Sequence, residues 1–235
     1  DQIVGVVAHY WNDNLILQAP VKIDALCHAA IEASGRKLMG LLGPAAQVQT
    51  VKEAFDLPED GMLMDETENL YSLRLDDLIV PDDLRSGRLT GRRIEPGDVE
   101  QVTEWLVAFS LEALHEVDSP ELQELVRTGL QRKQGQGMTW ILHDRGQPVS
   151  TSGFNTRTAE VAQIGGVYTP PELRSRGYGR AVVATSLLDA RAEGVHRSIL
   201  FTGVENIAAQ RSYEALGYRH IGDYRLLRLR GSAGG

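Results

Sequence analysis

The 235-residue sequence lacks the features that mark several protein classes. Its one cysteine, Cys27, excludes an internal disulfide and indicates a reducing compartment, so we expect a cytoplasmic protein. No apolar run approaches the ~18 residues of a membrane helix, so we expect no membrane association. The six histidines show no metal-ligand spacing such as H-E-x-x-H, and we therefore expect no metal.

Two common nucleotide-binding motifs are missing or incomplete. The sequence contains no G-x-x-x-x-G-K-[ST], which excludes the phosphate loop of nucleoside triphosphatases. Gly177 and Gly179 give G-x-G, but Val182 stands where a dinucleotide fingerprint has its third glycine. A dinucleotide-binding protein therefore stays as the weaker alternative.

Charge is distributed unevenly along the chain. Residues 1–88 hold 7 Lys and Arg against 15 Asp and Glu, whereas residues 89–235 hold 17 of each. The segment 173–182 nevertheless contains three arginines and no acid. A cationic loop on an acidic protein indicates a small anionic ligand rather than nucleic acid. A solvated arginine-rich turn is the alternative.

The pattern of apolar residues predicts an α/β protein of two parts. Residues 1–88 alternate in the order β-β-α-β-α-β-β, with the last two strands near 62–66 and 70–80. The segment 80–91 is rich in Pro, Gly, Asp and Ser and has no apolar period, which is typical of a linker. We therefore predict one domain over 1–88 and a second over 89–235.

The second part begins with two helices, one capped by Asp98 and one that starts at Ser119-Pro120. The predicted strands that follow cover 138–143, 148–154, 158–169 and 198–202, with helices at 178–192 and 207–215 and one or two strands in 218–229.

One segment of this part has the chemistry of an anion site. An extended stretch ends at Thr169, Pro170-Pro171 stops it, and a loop then carries Gly177 and Gly179 to the start of a helix. Glycines let a ligand approach the backbone, and a helix start offers unpaired N–H groups and partial positive charge. The three arginines of the segment would add charge-assisted hydrogen bonds to a phosphate. A tight turn whose glycines serve only geometry is the alternative.

The motif Arg174-x-x-Gly177-x-Gly179 after a strand resembles the acyl-CoA pyrophosphate loop of the GNAT superfamily of N-acetyltransferases. The run GGVYTPPELR at 165–174 is similar to the glycine-N-acyltransferase-like branch. Asn206 with Ser212-Tyr213-Glu214 and Leu216-Gly217-Tyr218 resembles the last motif of the family. The resemblance covers about 92–229 and does not include residues 1–88.

The resemblance implies an enzyme, an N-acetyltransferase that moves an acetyl group from acetyl-CoA to a primary amine in a ternary complex. The amine belongs to a small molecule or a peptide, and the protein is a monomer or homodimer. The implied fold has tandem GNAT-like halves, each a mixed, mostly antiparallel sheet flanked by helices. The first half, which has no R-x-x-G-x-G, is then a degenerate copy. A catalytically silent CoA-binding module is the alternative.

The resemblance also implies a set of cofactor-binding residues, namely Val167, Tyr168, Thr169, Arg174, Ser175, Arg176, Gly177, Tyr178, Gly179, Arg180, Asn206 and Ser212. Among them, a backbone N–H near Val167 or Tyr168, on a strand splayed from its neighbour, stabilises the thioester oxygen as it gains charge.

Two side chains are candidates for proton transfer. Tyr213 is placed by the resemblance to protonate the leaving thiol, and a half-buried aromatic that covers a helix–sheet contact is the alternative. Glu112, on a helix that borders the acceptor cleft in the family, is the candidate base for the amine. A surface acid is the interpretation that Glu112 fits better, and water could take the proton instead.

Overall fold

A computed structural model describes residues 2–10, 12–114 and 116–230. Its helices are Ile23–Ser34 (α1), Ala45–Ala54 (α2), Asp82–Arg85 (α3), Val99–Ala113 (α4), Pro120–Gly135 (α5), Tyr178–Ala192 (α6) and Ile207–Glu214 (α7). Its strands are Val6–His9 (β1), Asn14–Gln18 (β2), Gly40–Pro44 (β3), Met62–Arg74 (β4), Leu89–Arg93 (β5), Thr139–Asp144 (β6), Gln147–Arg157 (β7), Val161–Tyr168 (β8), Arg197–Gly203 (β9) and Arg219–Leu229 (β10).

The described residues form two compact units. The first contains those of 1–70, 201–206 and 220–235, and the second contains those of 71–200 and 207–219. Both units combine helices with strands that pair mostly antiparallel, which agrees with the predicted fold class. The tandem arrangement and the boundary between 88 and 89 stay predictions.

The first unit has a core of its own, built where β2 and β3 pair in parallel and β10 pairs with β3. Leu15 and Leu17 alternate inward on β2 and pack with the buried Cys27 of α1. Helix α1 ends at Gly35, whose φ of 63° lets its N–H bond to the Ile31 carbonyl at 2.9 Å.

The second unit is a sheet covered on both faces. Alternate residues of β6 point opposite ways, so Trp140 packs with the small residues of α6 while Ile141 packs with α4 and α5. Helix α5 starts as predicted, because the Ser119 hydroxyl accepts from the Leu122 N–H at 3.1 Å with proline at the first position. This packing places the start of α6 beside the end of β8.

Two predicted features differ from the structure. The strands expected near 62–66 and 70–80 are one continuous strand, β4, because no glycine or proline interrupts its 13 residues. The expected linker 80–91 contains α3 and the first residues of β5. Leu89 of that segment is 2% exposed and pairs with β6. The segment therefore contains a buried leucine although its composition is mostly polar.

Candidate functional site

The strands β8 and β9 separate part-way along their length. Their parallel pairing ends at Gln163 with Ile199, although β8 continues to Tyr168. On its other side β8 carries a bulge, because Gly165 pairs with Gly153 and Tyr168 pairs with Thr151. The bulged stretch of β8 includes Gly166, whose φ of 61° is a conformation that glycine adopts easily. The strand therefore leaves its neighbour and turns as it reaches Val167.

A buried hydroxyl fixes the end of this strand. Ser150 on β7 is fully buried, and its Oγ donates to the Tyr168 carbonyl at 2.8 Å. The same Oγ lies 2.9 Å from Thr169 Oγ1. Burial raises the pKa of Tyr168, and the carboxylate of Glu112 adds to that shift. The backbone beyond the bulge is thus held in one position.

The nine residues between β8 and α6 form a loop with two left-handed positions. Pro171–Leu173 makes a 3₁₀ turn, Ser175 has a φ of 63°, and Gly177 caps α6 with a φ of 78°. Within the described chain, none of the backbone N–H groups of residues 175–180 donates to another protein group. These donors are available to a ligand at the N-terminus of a 15-residue helix.

Gly179 lies in the first turn of α6, next to the end of β8. A Cβ at Gly179 would lie 3.6 Å from Thr169 Oγ1 and 4.0 Å from Val167 Cγ1, which is ordinary van der Waals contact. The protein itself would therefore accept alanine here.

The three arginines of the loop have different surroundings. Arg174 donates from Nη2 to Glu112 Oε2 at 2.6 Å and from Nε to the Thr169 carbonyl at 3.0 Å. This hydrogen bond to Glu112 is the main reason that the pKa of Arg174 is raised. Arg176 donates to the carbonyl of Glu172, and the buried Nε of Arg180 has no partner among the described residues.

The side chain of Tyr178 points into the protein. It is 6% exposed, and its hydroxyl donates to Asp144 Oδ2 at 2.6 Å. Arg88 also contacts this carboxylate at 3.1 Å and forms a second ion pair with Asp83. The Arg88 guanidinium lowers the pKa of Asp83. Tyr178 can therefore serve a ligand only through its backbone.

This geometry coincides with a match to a known family. The model of the acetyltransferase (GNAT) family matches residues 99–218, just over half of the chain. The chain belongs to the GNAT acetyltransferase family. Members of this family generally use acetyl-CoA and act on amines. The splayed strand and the loop lie within the matched residues.

Solved GNAT structures share the fold over nearly the whole chain. A GCN5-related N-acetyltransferase from Kribbella flavida is 16% identical with a TM-score of 0.62, covering 93% of this chain and 82% of its own. A GNAT-family acetyltransferase from Colwellia psychrerythraea is 13% identical with a TM-score of 0.59, covering 97% and 82%. A GCN5-related N-acetyltransferase from Sphaerobacter thermophilus is 16% identical with a TM-score of 0.59, covering 95% and 75%. No curated protein sequence matches the chain.

The remaining predicted site residues of this GNAT protein lie on two segments. Glu112 is in the last turn of α4, half exposed and bonded to Arg174. Tyr213 of α7 is buried and meets the ring of Tyr218 edge-on at 5.9 Å, and Ser212 donates to the carbonyl of Ala208. Asn206 lies directly before α7 and belongs to the first unit.

Sequence reasoning missed two side chains that fix the two ends of the loop by hydrogen bonds. Ser150 lies within strand β7, and Asp144 is the last residue of β6. Both lie far along the chain from their partners, so no local spacing marks them. The only available signal was a polar residue at an inward position of a strand.

Two further observations on the described residues concern metal ions and membranes. No group of three or more His, Cys, Asp or Glu side chains there is arranged to hold a metal ion. None of the helices within those residues combines the length and apolar character that a bilayer crossing requires.

Proposed function

We propose that this GNAT protein transfers an acyl group, acetyl in the first instance, from acetyl-CoA to a primary amine. The transfer is direct, in a ternary complex, and the loop 174–180 holds the pyrophosphate of CoA. The observation that carries the proposal is the row of N–H groups at residues 175–180 that no described protein group accepts, with Gly177 and Gly179 among them. Phosphate oxygens suit such donors at a helix N-terminus.

The unpaired edge of β8 supports the next step. When an amine attacks the thioester carbonyl, its oxygen gains negative charge and needs a donor fixed in advance. The N–H of Val167 or Tyr168 is our candidate, because the bulge at Gly166 turns this stretch and Ser150 fixes it. Thr169 borders the same space.

The departing sulfur takes a proton from Tyr213 in this mechanism. Addition of the amine first gives a tetrahedral intermediate; its C–S bond then breaks as the carbonyl re-forms, and the tyrosine hydroxyl donates its proton to the departing sulfur. A proton lost by the attacking nitrogen restores the tyrosine hydroxyl. Asn206 and Ser212 are assigned to the pantetheine arm on the family resemblance alone. The burial of Tyr213 fits a proton donor shielded from water and equally fits a packing residue.

The acceptor is proposed as a primary amine of a small molecule or peptide. Glu112 was the candidate base, but its Oε2 is bonded to Arg174, so we expect water to take the proton from the ammonium group. We also propose that the protein belongs to the glycine-N-acyltransferase-like branch, that residues 1–88 are a degenerate GNAT-like half, and that the protein acts in the cytoplasm as a monomer or homodimer.

Substituting Gly179 by alanine tests the cofactor assignment. Alanine fits the protein and favours the helix, so the free energy of unfolding should stay equal or rise by about 0.5–1 kcal/mol. A methyl group in the path of the ligand should weaken CoA binding about tenfold. Calorimetric titration with CoA measures this, and Gly97→Ala, where an added Cβ would have no atom within 4 Å, is the matched control. Unchanged CoA affinity in Gly179→Ala would overturn the loop assignment.

A silent CoA-binding module is the second candidate, because the only proposed base is occupied by Arg174. Turnover separates the two functions. Free thiol released from acetyl-CoA, measured with a panel of amines, should rise above the rate without protein for at least one amine. Tight CoA binding without thiol release for any amine class would favour the silent module.

A further inference from the structure

Arg174 has three partners that belong to the protein. Its Nη2 donates to Glu112 at 2.6 Å, its Nε donates to the carbonyl of Thr169 at 3.0 Å, and its guanidinium lies 5.6 Å from the ring centre of Tyr168. The two hydrogen bonds leave the fork of the guanidinium directed at α4 and at the end of β8. Arg174 is the first residue after the 3₁₀ turn, so these contacts fix the entry of the loop.

These contacts conflict with the role of a direct phosphate ligand. A phosphate that took the place of Glu112 on Arg174 would lie next to a released carboxylate, and two like charges at that distance repel. The loop has other donors for the phosphates, namely the N–H groups of 175–180 and the side chains of Arg176 and Arg180.

We propose that Arg174 and Glu112 are positioning residues, an ion-paired clamp that fastens the start of the CoA loop to the last turn of α4. The inference rests on the proposed function, since it concerns the loop that would hold CoA. Arg174 then supports CoA binding through the shape of the loop and does not contact the phosphates. Glu112 is part of the clamp and is not the base.

One substitution should change the Kd for CoA in opposite directions under the two interpretations, a clamp and a direct phosphate contact. Glu112→Gln keeps the side-chain shape and removes the charge. If Arg174 positions the loop, the Kd for CoA should rise about two- to fivefold, the range expected for a half-exposed ion pair. If Arg174 binds phosphate, Glu112→Gln frees its guanidinium and the Kd should fall. Calorimetry with CoA gives the answer, and a lower Kd would overturn the clamp.

A matched control lies on the same helix. Glu100 of α4 pairs with Arg127 of α5 at 2.6 Å, an ion pair of similar exposure with no contact to the loop. Glu100→Gln should leave the Kd for CoA unchanged. An equal rise in both variants would mean that any lost ion pair on α4 has this effect, which contradicts the clamp.

A double-mutant cycle gives a second, independent test. In Arg174→Ala the clamp is already open, so adding Glu112→Gln should change the Kd no further. The reversed pair, Arg174→Glu with Glu112→Arg, should recover part of the affinity that either single reversal loses. Additive effects and no recovery would contradict the clamp.

Turnover at saturating acetyl-CoA distinguishes the clamp from a base. Glu112→Gln should raise the KM for acetyl-CoA and leave kcat unchanged, whereas removal of a base lowers kcat and changes its pH profile. If the wild-type protein bound no CoA at all, the proposed function would fail. If it binds CoA and kcat of Glu112→Gln falls with an unchanged KM, the clamp alone is overturned.

Discussion

Each unit contains a strand that is followed in sequence by an α-helix, and the two connections differ. In the first unit β3 ends at Pro44 and α2 begins at Ala45, with no residue between them. In the second, nine residues separate β8 from α6. Both junctions give a helix N-terminus, but only the second has glycines in the loop and arginines beside it. We therefore expect the capacity to bind an anion to come from the loop and not from the helix alone.

The two units also differ in net charge, and the first unit is the more acidic. The first unit contains 13 acidic and 7 basic residues, and the second contains 19 and 17. Three largely buried charges of the first unit serve structure, since Asp65 bonds to both Lys52 and Arg225 at side-chain exposures below 20%. In the second unit the loop has N–H donors that no described protein group accepts. We expect binding of the cofactor's phosphates to be a property of the second unit only.

The strongest test of this difference substitutes one glycine in each unit. Gly177→Val forces a β-branched residue to a φ of 78°, which costs about 1–2 kcal/mol or moves the loop, so CoA binding should be lost. Gly35→Val imposes the same strain at a φ of 63° after α1 of the first unit. Calorimetry should find normal CoA affinity in Gly35→Val. Equal loss in both variants would remove the distinction between the units.

The next test concerns catalysis in the second unit. Tyr213→Phe should lower kcat about 10²-fold and change CoA affinity little, because a thiol with a pKa near ~8.5 can still leave as thiolate. Tyr218→Phe is the matched control, since this buried hydroxyl lies 2.6 Å from Ser198 Oγ and burial raises its pKa. The control should lose about 1 kcal/mol of stability and keep its kcat. Steady-state thiol release decides, and normal kcat in Tyr213→Phe would make it a packing residue.

A third test removes an ion pair from the first unit. Asp65→Asn should cost about 1.5–3 kcal/mol of the free energy of unfolding and leave CoA affinity unchanged. The hydrogen bond from Arg225 lowers the pKa of Asp65, so the carboxylate stabilises the fold above its unfolded pKa of about 3.9. Denaturant titrations should therefore show the difference from wild type shrinking as pH falls below about 4. A constant difference down to pH 2 would exclude this origin.

The smallest effect uses the single cysteine of the first unit. Cys27 is fully buried, and burial, with a contribution from Asp24, raises the pKa of its thiol from 9.0 to about 11. The folded state favours the protonated thiol. The contribution of this preference to the free energy of unfolding is complete below pH 9 and is lost as pH rises toward 11. At pH 8 a thiol reagent should react only with molecules whose first unit has opened. Labelling of the native protein at the rate of a free thiol would contradict this packing.

Prediction from sequence succeeded where residues punctuate the chain locally. The helix 178–192 matches α6 because Pro170-Pro171 and Gly177 mark its approach. Prediction failed where side-chain contacts decide. No glycine or proline supports the break that was expected in β4, and the polar composition of 80–91 gave no sign that Leu89 is buried. The bond between Glu112 and Arg174 joins residues 62 positions apart, so no spacing rule could place them together.

The loop is tied at both ends to different parts of the second unit. Arg174 at its entry bonds to α4, and the hydroxyl of Tyr178 at its exit bonds to Asp144 at the end of β6. Ordering a free loop would lose roughly 1–2 kcal/mol of backbone entropy per residue at the moment of binding. Here folding has already restricted these residues, so the heat capacity change on binding CoA should reflect only the surface that the cofactor covers. We therefore expect the loop to act as a rigid template for CoA.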